Sequence, residues 1–233
     1  MLRLFLPQIC VHCSTHCDSR NAKDTALAKY LCPVCLRQLE LLGPPRQGDL
    51  VPKSPLFREL PFEIKVGSAF SFQNGGIIQS LIHHFKYQEM PRLAMTLGSH
   101  CREKTPEIAK NYDFLVPVPL HRTRYSERGY NQSEMLSYGI SKGTSIPVSR
   151  RKWLRRVRQT PSQTGLSVEQ REENVRGAFA LSTKGQKELC GKRILIIDDV
   201  MTTGATLASA ASALIISKPK QVDVFAMAAV VEM

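Results

Sequence analysis

No apolar run in this 233-residue chain approaches the ~20 residues that a membrane-spanning helix needs, so no transmembrane anchor is expected. Residues 1–10 are too short for a signal peptide, and Pro7 and Cys10 interrupt them. Both absences predict a cytoplasmic protein. Internal repeats are missing too, which excludes a solenoid. Acids are scarce: 20 Asp and Glu stand against 32 Lys and Arg, a formal charge of +12. That imbalance favours polyanionic partners such as nucleic acid, or phosphorylated ligands. Tryptophan occurs once, at Trp153. The hydrophobic fraction of 42% is enough for a real core, and the length suits one α/β domain with a small appendage.

Five of the seven cysteines fall within the first 35 residues. In a reducing compartment such crowding points to metal binding before disulfides. Cys10-x-x-Cys13 and Cys32-x-x-Cys35 are separated by 18 residues, the spacing of a four-cysteine zinc site. Four thiolates close a tetrahedron and leave no open position, so this Zn2+ is expected to be structural. Such a site would staple a short segment with little core of its own. His12, His16 and Cys17 lie nearby and read as bystanders, with the replacement of a named ligand by one of them left open. Cys101 and Cys190 are isolated, as ordinary thiols would be.

Three regions are expected: a cysteine-rich head over 1–42, a connector over 43–61, and an α/β domain over 62–233. The connector holds five prolines and two glycines. Beyond it, strand and helix patterns alternate. Strands are expected at 66–72, 114–118, 193–200 and 222–231. Helices are expected at 76–89, 92–104, 126–141 and 204–217. Ser167-x-x-Gln170 is a capping-box signature that opens a further helix to Val175. This alternation predicts a mostly parallel sheet with helices on both faces.

The clearest chemistry lies in ILIIDDVMTTGAT, residues 194–206. An apolar strand ends in Asp198 and Asp199, a short loop follows, and a helix begins. Ligands of open α/β sheets sit beyond the carboxyl ends of the strands. A helix start offers unpaired N–H groups and the positive end of its dipole to a phosphate. Thr202, Thr203 and Thr206 add hydroxyls, and Gly204 lets the backbone approach closely. Facing that phosphate, the two acids would repel it. They make sense as acceptors for two ribose hydroxyls, with one of them able to hold water around a Mg2+ ion. A plainer reading is a strand–turn–helix corner whose acids cap the helix.

A second constellation, VPVPLHRTRYSERGYNQSE at 116–134, follows another expected strand. Arg122, Arg124 and Arg128 crowd it and can meet a pyrophosphate with bidentate geometry. Lys86-Tyr87 can approach the same pocket, although interaction of Lys86 with its own helix dipole is the simpler account. Further on, RRKWLRRVR at 150–158 sets Arg151, Lys152, Arg155 and Arg156 around Trp153, and a loop expected to be mobile follows at 160–165. Cations tracking a backbone beside a stacking ring suit single-stranded DNA. Alternatively Trp153 anchors the loop to the core, or the loop folds over a phosphorylated ligand.

The segment 194–206 resembles the 5-phosphoribosyl-1-pyrophosphate (PRPP) signature of type I phosphoribosyltransferases. The resemblance implies that Asp198 and Asp199 engage the ribose diol, while Met201, Thr202, Thr203, Gly204, Ala205 and Thr206 cradle the 5-phosphate. Taken with VPVPLHRTRYSERGYNQ, LSVEQREENVRGAF at 166–179 and the cysteine head, nearly the whole chain resembles the ComF family. That resemblance implies a zinc-binding head on a type I phosphoribosyltransferase-like domain. It also implies a role in natural competence, with internalised single-stranded DNA and the DNA-uptake machinery as partners. Fold alone does not decide function. An active transferase joining PRPP to a nucleobase, and a protein that only senses PRPP, both stay open, and no catalytic residue is assigned.

Overall fold

The computed structural model describes residues 9–17, 26–45, 50, 52–160 and 167–231. The readings of the first residues, of part of the connector and of most of the loop at 160–165 lie outside them. Its helices are α1 (Pro33–Leu41), α2 (Ile77–Tyr87), α3 (Pro91–Lys104), α4 (Arg122–Arg128), α5 (Gln132–Ser141), α6 (Val168–Val175), α7 (Thr183–Leu189) and α8 (Ala205–Leu214). Its strands are β1 (Val66–Ser71), β2 (Phe114–Pro117), β3 (Leu154–Arg156), β4 (Phe179–Leu181), β5 (Arg193–Met201) and β6 (Gln221–Ala229).

β1, β6, β5 and β2 form, in that order, a sheet in which every pairing is parallel. Successive side chains of β5 alternate between its faces. Leu195 and Ile197 meet a core built with Leu81 and Phe85 of α2, Leu93 and Leu97 of α3, and Leu136 and Ile140 of α5. Ile194 and Ile196 meet the opposite core, with Leu207, Ala211 and Leu214 of α8. This is the expected parallel sheet with helices on both faces. At the crossing of α3 and α5, a Cβ on Gly139 would collide with the Met95 carbonyl oxygen and one on Gly98 with that of Leu136, so both glycines are required by close backbone approach.

The cysteine head does not stand apart from this core. Cys10, Leu31, Cys35, Leu36 and Leu39 share one cluster with α2 and α3. His12 Nδ1 and Ser80 Oγ share a hydrogen bond of 2.9 Å that ties the first knuckle to α2. The connector is likewise packed. Leu56 is buried with Val175, Ala205 and Ala208, and Phe57 packs against the same group.

Two local expectations are corrected. The single helix expected at 126–141 is two helices, α4 and α5, because Gly129 caps α4 in the left-handed region at φ 71°. Asn131 then caps α5, its side chain accepting from Ser133 N. The basic segment at 150–158, where no strand is expected, contributes one. Leu154–Arg156 pairs antiparallel with Phe179–Leu181 in a two-stranded ribbon.

Candidate functional site

Parallel pairing places the carboxyl ends of β2 and β5 side by side. Val118 N donates to Ile197 O at 2.9 Å, so the loop leaving β2 and the acids of β5 occupy one edge of the sheet. Ser133, at the start of α5, donates its hydroxyl to Asp198 Oδ1 at 2.9 Å. Asp199 N donates to the same oxygen at 2.9 Å. Asp199 Oδ2 forms an ion pair with Lys86 Nζ at 2.8 Å. Removal from water, and then the negative charge of Asp199, push the Asp198 carboxyl from its ordinary 3.8 up to about 7. The acid pair is therefore unequal: Asp199 is paired with a cation, while Asp198 can carry a proton near neutrality.

The loop at 201–206 follows at once. Gly204 takes φ 85° as the N-cap of α8, a conformation open to glycine but strained for other residues. Met201, Thr203, Gly204 and Ala205 are buried, Thr206 is half-buried and Thr202 exposed. Ala205 N donates to Thr203 Oγ1 at 3.4 Å, a local bond that spans the Gly204 turn into α8. The connector supports the loop from behind. Ser54 N donates to Thr203 O at 3.0 Å, and a Cβ on Gly204 would stand 2.7 Å from the Phe57 ring. The buried Ser54 hydroxyl has no hydrogen-bond partner among the described residues.

Arg122 is exposed, while Arg124 and Arg128 are half-buried. Arg128 donates to Gln132 Oε1 at 3.1 Å, and its guanidinium lies 5.3 Å from the Tyr87 ring centroid. Arg156, expected to meet nucleic acid, instead turns inward. Its guanidinium lies 5.4 Å from the Phe179 ring centroid and donates to Thr160. Burial, and the nearby cations Arg124 and Arg158, lower its pKa against the opposing pull of Asp198. Arg156 thus stands close enough to Asp198 to feel its charge.

Arg150, Arg151, Lys152 and Arg155 are exposed. The Arg151 guanidinium lies 4.3 Å from the Tyr125 ring centroid, which joins this segment to α4. Trp153 does not belong with them. It is buried at 6% exposure and packs edge-on against Phe114, with centroids 5.3 Å apart. The stacking role expected for Trp153 is corrected: the ring is committed to the core, and the anchoring alternative is the one the packing supports.

In the head, the sulfurs of Cys10, Cys13, Cys32 and Cys35 all lie within 4.8 Å of one another, and those of Cys13 and Cys32 are 3.6 Å apart. Sulfurs each ~2.3 Å from a tetrahedral zinc are separated by about 3.8 Å, so the donor set fits a metal ion of that size. Cys17 lies outside this group, its thiol pushed up to about 11 by burial and then by the neighbouring cysteines. Elsewhere, a cleft of about 760 Å³ opens at the opposite end of the sheet, lined in part by Lys65, Arg193 and Asp223. None of the site residues above lines it. Its Asp223 carboxylate already accepts from Lys65 N at 2.9 Å and Tyr112 at 2.8 Å, which accounts for it structurally.

Sequence reading set Lys86 aside as a dipole-bound lysine, and missed Ser133 and the support from Phe57. The cue for Ser133 was present: Asn131 reads as an N-cap, which puts position 133 in the first turn of a helix facing the acids. Nothing in the connector composition pointed to Phe57.

Comparison with known proteins agrees with this architecture. The phosphoribosyl transferase domain family model matches residues 143–231. Competence protein F of Haemophilus influenzae is 36% identical over 132 residues, covering 54% of this chain and 57% of that protein. The chain thus spans little more than half of that relative. DNA utilization protein YhgH of Escherichia coli is 31% identical over 217 residues, 88% of this chain and 87% of that one. Competence protein ComFC of Bacillus subtilis is 24% identical over 85% of this chain and 77% of its own length. With a relative of that identity matched nearly end to end, a phosphoribosyltransferase-like sheet and a four-cysteine head, the chain belongs to the ComF family.

Proposed function

We propose that the chain binds PRPP at the carboxyl edge of its sheet and serves the handling of internalised single-stranded DNA during natural competence. One observation carries the ligand half: an unequal acid pair, Asp198 and Asp199, stands directly before a buried loop and the N-terminus of α8. Two neighbouring carboxyl groups match the two hydroxyls of a ribose. The loop's backbone N–H groups, with the hydroxyls of Thr202 and Thr206, match its 5-phosphate. Arg122, Arg124 and Arg128 supply cations for the pyrophosphate. Mg2+, when bound with PRPP, would neutralise pyrophosphate charge, with Asp198 and Asp199 as the acids near enough to hold its water. Zn2+ in the Cys10, Cys13, Cys32 and Cys35 set would fix the head to α2 and α3.

Titration with PRPP and Mg2+, followed by thermal unfolding, tests this. Ligand at ~100-fold above its dissociation constant should stabilise the fold by ~2.7 kcal/mol. Asp198→Ala with Asp199→Ala should remove that gain. An undiminished response in the double variant refutes the assignment.

The DNA half rests on the exposed cations Arg150, Arg151, Lys152 and Arg155, which α4 extends with Arg122. Each strand phosphate neutralised there should contribute about −0.7 to the slope of log affinity against log salt. A cytoplasmic location fits this role, and no helix among the described residues is long and apolar enough to cross a membrane. Pyrophosphate release from PRPP, measured with and without candidate nucleobases, separates a binding protein from an active transferase.

A further inference from the structure

The C-terminal turn of α2 is fastened to the site at three points. Lys86 Nζ pairs with Asp199 Oδ2 at 2.8 Å, with only 20% and 14% of the two side chains exposed. The Tyr130 hydroxyl donates to the Phe85 carbonyl oxygen. Arg128 lies over the ring of Tyr87. A lysine serving only the helix dipole would direct its amine to the last carbonyls of its own helix. Lys86 reaches a carboxylate on β5 instead, and that carboxylate is one of the pair read as the ribose acceptor.

Those two uses of Asp199 compete at Oδ2, the oxygen that faces Lys86. A diol hydroxyl that donates to Asp199 Oδ2 takes the position that the ammonium now holds. An ammonium released in so enclosed a place needs another anion, because a partly buried charge left unpaired is costly. The 5-phosphate is not the partner, since it belongs at the start of α8, on the far side of the acids from α2. Arg128 is the nearer guide. It packs on Tyr87, the residue next to Lys86, and it belongs to the group read as holding the pyrophosphate.

We infer that Lys86 is a pyrophosphate-binding residue, paired with Asp199 in the free protein and transferred to the ligand's pyrophosphate when the ribose diol engages the acids. This rests on the PRPP reading proposed above and adds a specificity to it. A ligand with ribose and pyrophosphate is compensated at both ends of the exchange. Ribose 5-phosphate displaces the lysine and offers it nothing in return.

The test measures dissociation constants by calorimetry, on the full chain, for PRPP with Mg2+ and for ribose 5-phosphate. Lys86→Met should weaken PRPP roughly tenfold, the loss of one charge-assisted contact. It should leave ribose 5-phosphate unchanged or bind it more tightly, because Asp199 has lost its competitor. Lys86→Arg should keep most of the PRPP affinity. Equal weakening of both ligands, or undiminished PRPP binding in Lys86→Met, overturns the inference while leaving the PRPP site standing. A wild-type chain that binds neither ligand refutes the PRPP reading itself, and the exchange with it. Lysine acetylation footprinting of the unsubstituted protein gives an answer even if the methionine variant fails to fold. PRPP should shield Lys86, and ribose 5-phosphate should make it more reactive than in the free protein. Equal reactivity with both ligands overturns the exchange.

Discussion

Replacing Asp198 with asparagine isolates the cost of its unusual protonation. In the folded chain the carboxyl titrates near 7 rather than 3.8, because it is withdrawn from water and faces Asp199. A group whose folded pKa is raised stabilises the fold relative to its ionised form only while it stays protonated. Its contribution is therefore complete below about 3.8 and is lost progressively as pH rises through about 7. An asparagine keeps an oxygen for the Ser133 and Asp199 donors but does not titrate. Between pH 5 and pH 8, wild type should thus lose about 3 kcal/mol of stability relative to Asp198→Asn, an order-of-magnitude figure for a coupled pair. Urea unfolding of both proteins at the two pH values measures this directly, and equal denaturant slopes would confirm that the same transition is compared. The offset between the proteins at pH 5 reflects the lost hydrogen-bond chemistry and is not at issue. If the two stability curves run parallel from pH 5 to 8, Asp198 is ionised throughout, and the unequal acid pair is wrong.

Other outcomes follow from particular contacts. Purified protein should carry one metal ion per chain, identified as zinc by elemental analysis, and Cys32→Ser with Cys35→Ser should abolish it. Gly139→Val should cost at least ~1–3 kcal/mol in chemical denaturation, since its side chain meets the Met95 carbonyl rather than a yielding side chain. Trp153→Ala should lower stability by ~3–5 kcal/mol as a core truncation. Arg151→Gln with Arg155→Gln should flatten the salt dependence of single-strand binding by about one unit without moving the melting temperature.

Much of this site could be read before the fold was known, for identifiable reasons. Residues 194–206 announce themselves because four apolar residues, two acids and a Thr-Gly turn follow the order that a buried strand, its exit and a helix start demand. The capping box at Ser167 and Gln170 forms as its spacing predicts. What stayed hidden depends on tertiary contact. The alternation in β3, with Leu154 buried, Arg155 exposed and Arg156 turned inward, is masked by the density of charge in that run. The break at Gly129 is a single residue inside an otherwise helical pattern. Lys86 has an adequate local explanation, so only the 2.8 Å approach to Asp199 reveals its other one.

The packing of the connector behind Gly204 bears on how such a protein can be divided. Phe57 fills the space that a β-carbon at 204 would claim, and Ser54 holds the Thr203 carbonyl. The loop at 201–206 is therefore sandwiched between the sheet it follows and a stretch of chain that precedes the first strand. A fragment cut at residue 62 would retain every signature side chain and lose the wall against which the loop is moulded. Transplanting the sheet alone onto another leader would fail for the same cause. The inheritable unit is the sheet together with its preceding proline-rich strap, which makes that strap as much a determinant of the loop's shape as the loop's own threonines.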